Sequence, residues 1–353
     1  MLILGIETTC DETSVAVVED GYKILSNIIA SQETLHSEFG GVVPEIACRA
    51  HMESIITVID RAVSSAGISF SDIGAIAVAN SPGLVGAILI GLTAAKSLAM
   101  SWDIPLISIS HIQAHLYSVN LCNEKVSYPL TGLIVSGGHT SLFFIEDELT
   151  YSLLGGTLDD AAGEAFDKVA KILGLGYPGG PKIDSISKDG DRNAVRFPRS
   201  YLSIGSLDFS FSGLKTAVLY HCYGVTGFVK NKGCTGLDTN IKSEKEIADI
   251  AASFQEAVID VLVDKTISAF KLNSCTANKR SSKGIVIGGG VARNSRLQAR
   301  LKEKVEEMAV PLYYPTPVLC TDNAAMIAGL AYHKFVRNDF ATLSLEAIPS
   351  YTL

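Results

Sequence analysis

Hydrophobic and polar positions in this chain follow a plan that occurs twice. Residues 3–18 read as a β-hairpin: the apolar run Ile3-Leu4-Gly5-Ile6, a polar turn over Glu7–Thr13, then Ser14-Val15-Ala16-Val17-Val18. Residues 130–145 repeat it, with Leu130–Val135 apolar, Ser136-Gly137-Gly138-His139-Thr140 as the turn and Ser141–Ile145 as the second strand. Both second strands end on an acidic pair, Glu19-Asp20 and Glu146-Asp147. Two such hairpins, each opening one half of the chain, predict an internal duplication.

Helical and strand periods alternate through the rest. A helix is expected over 44–66, with Pro44 in its first turn and Ile46, Ile55, Ile56, Ile59 and Val63 at helical spacing. Gly74–Ala79 reads as a strand, and a helix follows Pro82-Gly83 to about Met100. Ile104–Ile109 is a strand leading into a short helix from His111. In the second half, helices are expected over 159–173, 245–272 and 292–308, and strands over 284–287 and 312–314. Gly174–Pro181 reads as a glycine–proline loop, and Thr321 as the N-cap of a last helix reaching about Val336. Residues 221–243 are polar and without period, so a loop or insertion is expected there. The alternation means an α/β protein with sheets covered on both faces.

A length of 353 residues suits two domains. Apolar residues make up 47% and charged residues 19%, and the mean hydropathy is +0.29, which raises the question of a membrane span. The longest uncharged stretch, Gly74–Ala95, is broken by Asn80-Ser81-Pro82-Gly83, so a buried strand, a turn and a helix explain it better. The first residues already read as a strand, with neither a basic leader nor an Arg-rich presequence, and a cytoplasmic location is expected. Seven scattered cysteines without a C-x-x-C pair point to reduced thiols, not to a disulfide framework or a thiolate zinc site. The net charge of −8 is uneven. Residues 1–60 carry ten acids against two bases, whereas 276–304 carry eight bases and one acid, Glu303. The acidic total speaks against non-specific nucleic-acid binding, but the basic block permits either a local patch or a solvated helix face.

His111 and His115 stand four apart on a helix that directly follows a buried strand, which puts both rings on one face at a strand's C-terminal end. One metal ion would be in reach of both, and a pair of core or capping histidines fits the same spacing. The sequence His111-Ile112-Gln113-Ala114-His115 lacks the glutamate of H-E-x-x-H, which disfavours a protease. Asp322 suits the positive end of the last helix and could also be a third ligand, completing a site with open positions. The Ser136–Thr140 turn could offer backbone amides to anionic oxygens, and it also suits a plain hairpin. Gly288-Gly289-Gly290 follows a strand without the order or acidic partner of a dinucleotide fingerprint, and no phosphate-binding P-loop is present. Asp11 and Glu12 in the first turn, and Asp167, Lys168 and Asp184 in the second half, read equally as surface charge or as ligand contacts.

Ten segments coincide in order from residue 5 to 324: Gly5–Thr13, Gly40–Glu45, Ser81–Leu84, His111–His115, Val135–Thr140, Gly163–Lys168, Gly174–Pro181, Phe211–Lys215, Gly288–Asn294 and Thr321–Ala324. In these the chain resembles the bacterial TsaD-type tRNA N6-adenosine threonylcarbamoyltransferases, the older O-sialoglycoprotein endopeptidase family. The resemblance implies a duplicated actin/sugar-kinase/Hsp70-like (ASKHA) α/β fold, two lobes around a nucleotide cleft. The expected lobes are 1–110 with 323–353, and 111–322, the second holding the insertion at 221–243. His111, His115 and Asp322 would bind one divalent metal ion, Fe2+ or Zn2+. Ile134, Val135, Ser136, Gly137 and Gly138, completed by Asp167, Gly180, Asp184 and Asn294, would hold threonylcarbamoyl-adenylate as substrate. Asp11, Glu12 and His139 are the candidate catalytic groups for proton transfer. The implied acceptor is the adenosine 3′ of the anticodon in tRNAs reading codons that begin with A, and AMP is the leaving group. The implied partners are tRNA, a TsaB-like paralogous subunit and a TsaE-like ATPase, with no membrane. The 276–304 block would share the tRNA contact. Competing readings are a small-molecule kinase of the same fold, which would need ATP–Mg2+ and no H-x3-H, a nucleotide-switched binding module, and a non-catalytic paralogue; metal content separates them from the transferase.

Overall fold

Each half of the chain builds the same sheet. The computed structural model describes residues 1–122, 126–203, 205–230, 243–274 and 281–350. The first half forms β1 (Leu2–Glu7), β2 (Glu12–Glu19), β3 (Lys23–Ser31), α1 (Glu33–Ser37), α2 (Pro44–Ala66), β4 (Ala75–Ser81), α3 (Val85–Trp102) and β5 (Leu106–Ser110), and α4 (His111–Tyr117) leads out of it. The second forms β6 (Leu130–Val135), β7 (Thr140–Ile145), β8 (Tyr151–Gly156), α5 (Ala162–Ile172), α6 (Gly179–Ile186), α7 (Ser212–Lys230), α8 (Glu244–Ser274), β9 (Ile285–Gly288), α9 (Ser295–Met308), β10 (Leu312–Tyr313), α10 (Pro317–Cys320) and α11 (Ala324–Val336). The strand orders are β3-β2-β1-β4-β5 and, read in the same sense, β8-β7-β6-β9-β10. Both central strands pair antiparallel with the next strand in the chain and parallel with β4 or β9. The duplication suggested by the two hairpins is therefore a duplication of topology.

The expected hairpins form in register, Leu2 opposite Glu19 and Leu130 opposite Ile145. The third strands, β3 and β8, carry no clean alternation because both are edge strands with mixed exposure. Pro44 starts α2, and Gly67, in the left-handed region at φ 68°, ends it. Ile56, although at helical spacing, points outward and is 77% exposed. The uncharged stretch resolves into the buried β4, a turn and α3. α3 is long and apolar enough to cross a membrane, but Ala87, Ile88, Gly91, Leu92, Ala95 and Ala99 are buried, and it packs on β4 and α2.

Four expectations change. Thr321 is not the cap of the last helix: Asn323 is, its side chain accepting from the Met326 amide, because Thr321 ends α10. The 159–173 helix starts at Ala162, because Asp159 turns away to accept from Ser210, Phe211 and Ser212. The Gly174–Pro181 loop already begins α6 at Gly179. The insertion at 221–243 is helical as far as Lys230, with a break at Gly224 (φ 70°, ψ 160°), and 231–242 lie outside the described residues. Cys10, Cys48, Cys122, Cys222 and Cys320 form no disulfide, while Cys234 and Cys275 are outside the described residues.

α2 and α3 cover one face of the first sheet, and α4 and α11 the other. α4 is shared between the halves. Ala114 and Tyr117 pack in the first half's core, whereas Ile112 and Leu116 pack with β6, β7 and β9. α11 lies on β1 at Gly5, where a Cβ would stand 2.5 Å from the Ala324 carbonyl and 2.8 Å from the Ala328 amide nitrogen. Neither atom is the end of a flexible side chain. Gly5→Ala should therefore lower the unfolding free energy by about 1–3 kcal/mol, read as a reduced urea midpoint; an unchanged midpoint would contradict this packing.

Candidate active site and metal centre

α4 starts where β5 ends, with Ser110 as its cap. One turn separates His111 from His115, and the rings meet edge to face with centroids 4.6 Å apart. Asp322 comes from the short turn between α10 and α11. Its Oδ1 is 3.1 Å from His115 Nε2 and 3.5 Å from His111 Nε2, and the three ligand atoms lie within 4.8 Å of one another. Both histidines are buried, while the Asp322 side chain is 19% exposed and leaves the group one open side.

Glu7 and Thr9 hold His111 from behind. Glu7 Oε2 is 2.9 Å and Thr9 Oγ1 3.1 Å from His111 Nδ1, and the other Glu7 oxygen accepts from the Thr9 amide at 2.6 Å. A fully buried carboxylate on Nδ1 keeps a proton there and directs Nε2 at Asp322. The sequence reading did not single out either residue. Its one signal was an acid at the end of an otherwise apolar first strand.

Burial opposes charge on His111, but Asp322 and Glu7 outweigh it and push the imidazole up to about 9. Burial, helped by His111, keeps His115 below its ordinary value. Asp322 is held well below the usual carboxylate range: burial opposes this, but His111, His115 and His139 prevail. The extra proton on His111 thus supplies the positive charge that two buried carboxylates require. A neutral His115 donating from Nε2 to Asp322 leaves its Nδ1 as a buried nitrogen without a partner. Two imidazoles, one carboxylate, an outer carboxylate and an open side fit a divalent ion with exchangeable positions, and the donors suit Zn2+ or Fe2+ chemistry.

The glycine segments lie next to this triad. A Cβ on Gly288 would stand 2.9 Å from the His115 carbonyl, and one on Gly289 would meet the Val135 backbone. Gly163, at the start of α5, abuts Ser136 and Gly137, and Gly179, at the start of α6, abuts Asp167. Among the described glycines outside the left-handed region, only Gly137, Gly138, Gly180, Gly213 and Gly290 have nothing within 4 Å of a Cβ position. Four of these five belong to the segments just described, where no atom of the fold fills the Cβ position. In the 136–139 turn, the Ser136 amide donates to the His139 carbonyl and the His139 amide to Ser136 Oγ, leaving those of Gly137 and Gly138. Ile134 and Val135 lie buried beneath this turn.

The other expected ligand residues have structural partners. Asp167 accepts from the Gly179 amide at 2.7 Å and is raised by burial, although the Gly179 and Gly180 amides pull it down. Asp184 accepts from the Ser295 amide and hydroxyl. Asn294 caps α9, accepting from the Arg296 and Leu297 amides, and donates to Gln255 at 2.7 Å. These bonds tie the N-terminus of α6 to α5 and the N-terminus of α9 to α6 and α8. Glu12 is pushed up to about 10 by burial and then by Asp322 and Asp11. A neutral carboxyl donates; it becomes a proton acceptor only when a cation offsets its acidic neighbours. His139 is pushed down to about 4 by burial and by His111 and His115, so it is neutral at pH 7 and a weak base.

Two of the eight bases in the 276–304 block are engaged inside the fold. Arg296 makes a two-pronged pair with Glu256, both contacts 2.7 Å, and Arg300 lies 2.6 Å from Glu256 and 3.2 Å from Asp260. These arginines lock α9 to α8 at side-chain exposures of 17% and 21%. Lys279 and Arg280 lie outside the described residues.

The same fold occurs in HypF from T. kodakarensis (TM-score 0.57, 14% identity, 96% of this chain and 48% of that one). It occurs also in component A of (R)-2-hydroxyglutaryl-CoA dehydratase from Acidaminococcus fermentans (TM-score 0.51, 15% identity, 95% and 99%). At such identities the likeness speaks for the fold alone, and it defines a duplicated protein of the ASKHA class. Within that class the chain belongs to the TsaD family, the tRNA N6-adenosine threonylcarbamoyltransferases, whose family model matches residues 23–329. The relative of that name in Moorella thermoacetica is 48% identical over 351 residues, 99% of this chain and 97% of that one. In Syntrophus aciditrophicus the identity is 47% over 353 residues, 100% and 98%. The chain is thus a transferase of tRNA modification.

An ion at the triad must displace the His111 proton. Zn2+ affinity should therefore rise by about tenfold per pH unit between pH 7 and 9, with about one proton released per ion in weak buffer. Glu7→Gln should lower the affinity by about 10–100-fold. Chelator competition across pH checks both, and a flat pH profile would contradict the assignment.

Proposed function

We propose that this chain transfers the threonylcarbamoyl group from threonylcarbamoyl-adenylate to N6 of the adenosine 3′ of the anticodon, in tRNAs reading codons that begin with A. The observation that carries this reading is the His111–His115–Asp322 triad beside glycines that have kept open space. An acyl-adenylate needs both features: room for its nucleotide against bare backbone, and positive charge at the reacting carbonyl. The residues present suit one bound Fe2+ or Zn2+, which would supply Lewis-acid polarisation of that carbonyl and an anchor for the threonyl part.

The chain's own groups do the rest. The amides of Gly137 and Gly138 donate to the oxyanion as it develops. Ile134, Val135 and Ser136 position that turn. Gly180 leaves space for the nucleotide, framed by Asp167, Asp184 and Asn294. The N6–carbonyl bond forms, the bond from the carbonyl to the phosphate oxygen breaks, AMP departs with its electron pair, and the amine proton passes to Asp11, Glu12 or His139. The lobes that close on this cleft are 1–110 with 323–353, and 111–322. The reaction takes place in the cytoplasm with tRNA, a TsaB-like paralogous subunit and a TsaE-like ATPase as partners. Exposed Met52 and Ile56 on α2, and Val85 and Leu89 on the adjoining α3, support a subunit contact on that layer.

Purified chain with its two partners, preformed threonylcarbamoyl-adenylate and unmodified tRNA should yield modified adenosine, and His111→Ala should lower the rate by at least about 100-fold. Chromatography of digested tRNA reads the product. No product from the wild type would overturn the reaction; equal product from both would reduce the histidines to a structural role.

A further inference from the structure

His51 lies on the inner face of α2, fully buried, and both its ring nitrogens are spent on one turn. Nε2 is 3.0 Å from the Cys10 carbonyl, which can only accept, so Nε2 carries the proton. Nδ1 is therefore bare and accepts from the Thr13 hydroxyl at 2.8 Å. The Thr13 oxygen lies 2.9 Å from Ser54 Oγ, within the next turn of α2, and the single Ser54 hydroxyl proton serves either Thr13 or the Ala50 carbonyl at 2.7 Å. Behind them the Gln32 amide donates to the Asp11 carbonyl at 3.0 Å, and Gln32 Oε1 is 3.2 Å from the buried His36 ring. The Cys10 and Thr13 anchors bracket Asp11 and Glu12.

An apolar side chain would fill this site without the desolvation cost of an imidazole. It would, however, leave the Cys10 carbonyl and the Thr13 hydroxyl without the partners that His51 gives them. Asp11 and Glu12 stand between the two anchors, so the conformation of the turn decides where both carboxyls lie.

We propose that His51 is a positioning residue that clamps the Cys10–Thr13 turn through its two ring nitrogens and so sets how far Asp11 and Glu12 reach into the cleft. This rests on the transfer reading of that cleft. His51 touches no reacting atom. Its tautomer is dictated from one side by the Cys10 carbonyl, so the Thr13 hydroxyl has one orientation and the turn one conformation.

The test compares wild type, His51→Leu, His51→Gln and the near-isosteric Thr13→Val. Two readouts are taken on the chain with its partners: single-turnover threonylcarbamoyl transfer, and hydrogen exchange of the segment around residues 10–13. His51→Leu should slow transfer by about tenfold or more, with kcat falling and KM for the adenylate unchanged. Exchange at the turn should quicken by a similar factor, with Zn2+ content and β1 exchange as in wild type. Thr13→Val should show part of both effects, and His51→Gln, which retains a donor and an acceptor, should recover part of both. Wild-type transfer rates in folded His51→Leu and Thr13→Val would overturn the proposal. So would unchanged exchange at the turn, or a loss of rate matched by loss of metal. A wild type without transfer defeats the functional reading alone, because turn exchange still decides the clamp.

Discussion

Helix α11 lies closer to β1 and α4 than ordinary side chains permit, and the site depends on that approach. Gly5 leaves room for the Ala324 and Ala328 backbone, and a Cβ at Gly329 would stand 2.8 Å from the Tyr117 ring and 2.9 Å from the Gly21 carbonyl. Most of the other buried residues of α11 are small or flexible, Ala324, Ala325, Met326, Ala328 and Ala331, with Ile327 and Leu330 the bulky exceptions. Ser14 fastens the first turn by accepting from the Ala324 amide at 2.9 Å. Tyr117, at the far end of α4, donates to the Gly21 carbonyl and meets His333 of α11 at 3.0 Å. Held at both ends, α11 delivers Asp322 to a histidine 207 positions earlier in the chain.

Charge at the cleft follows from the same geometry. β1 ends with Glu7 behind His111, and on the turn after it the charges of Asp322 and Asp11 add to burial in raising Glu12. Several carboxylates converge where water is largely excluded, an arrangement that demands a cation. Protonated His111 meets part of that demand in the ion-free protein. The acid excess of residues 1–60 is therefore only in part a solvated surface; Glu7 belongs to the interior of the site.

Much of this was legible in the sequence because it is local. The hairpins appear as two apolar runs around a polar turn, and the H-x3-H spacing survives because helix geometry alone brings His111 and His115 together. Most of what was not legible depends on what each element packs against, which the local pattern does not carry. The edge strands β3 and β8 lack the alternation of half-buried strands. Arg296 and Arg300 of the 276–304 block read as surface charge until Glu256 and Asp260 of α8 are seen to neutralise them. Thr321 looks like a helix cap until α10 occupies the preceding residues. Glu7, Thr9 and His51 resemble ordinary strand and helix residues, and their significance is created by contacts across 104, 102 and 38 positions.

The central claim is that packing of α4 and α11 creates one ligand set from two distant stretches of sequence. The most direct test is crystallography of the Zn2+-loaded protein with anomalous data above and below the zinc edge. The account predicts one strong peak about 2.0–2.2 Å from His111 Nε2, His115 Nε2 and an Asp322 carboxylate oxygen, with Glu7 still on His111 Nδ1. No peak at the triad under saturating zinc, or a peak that lacks Asp322, would contradict it.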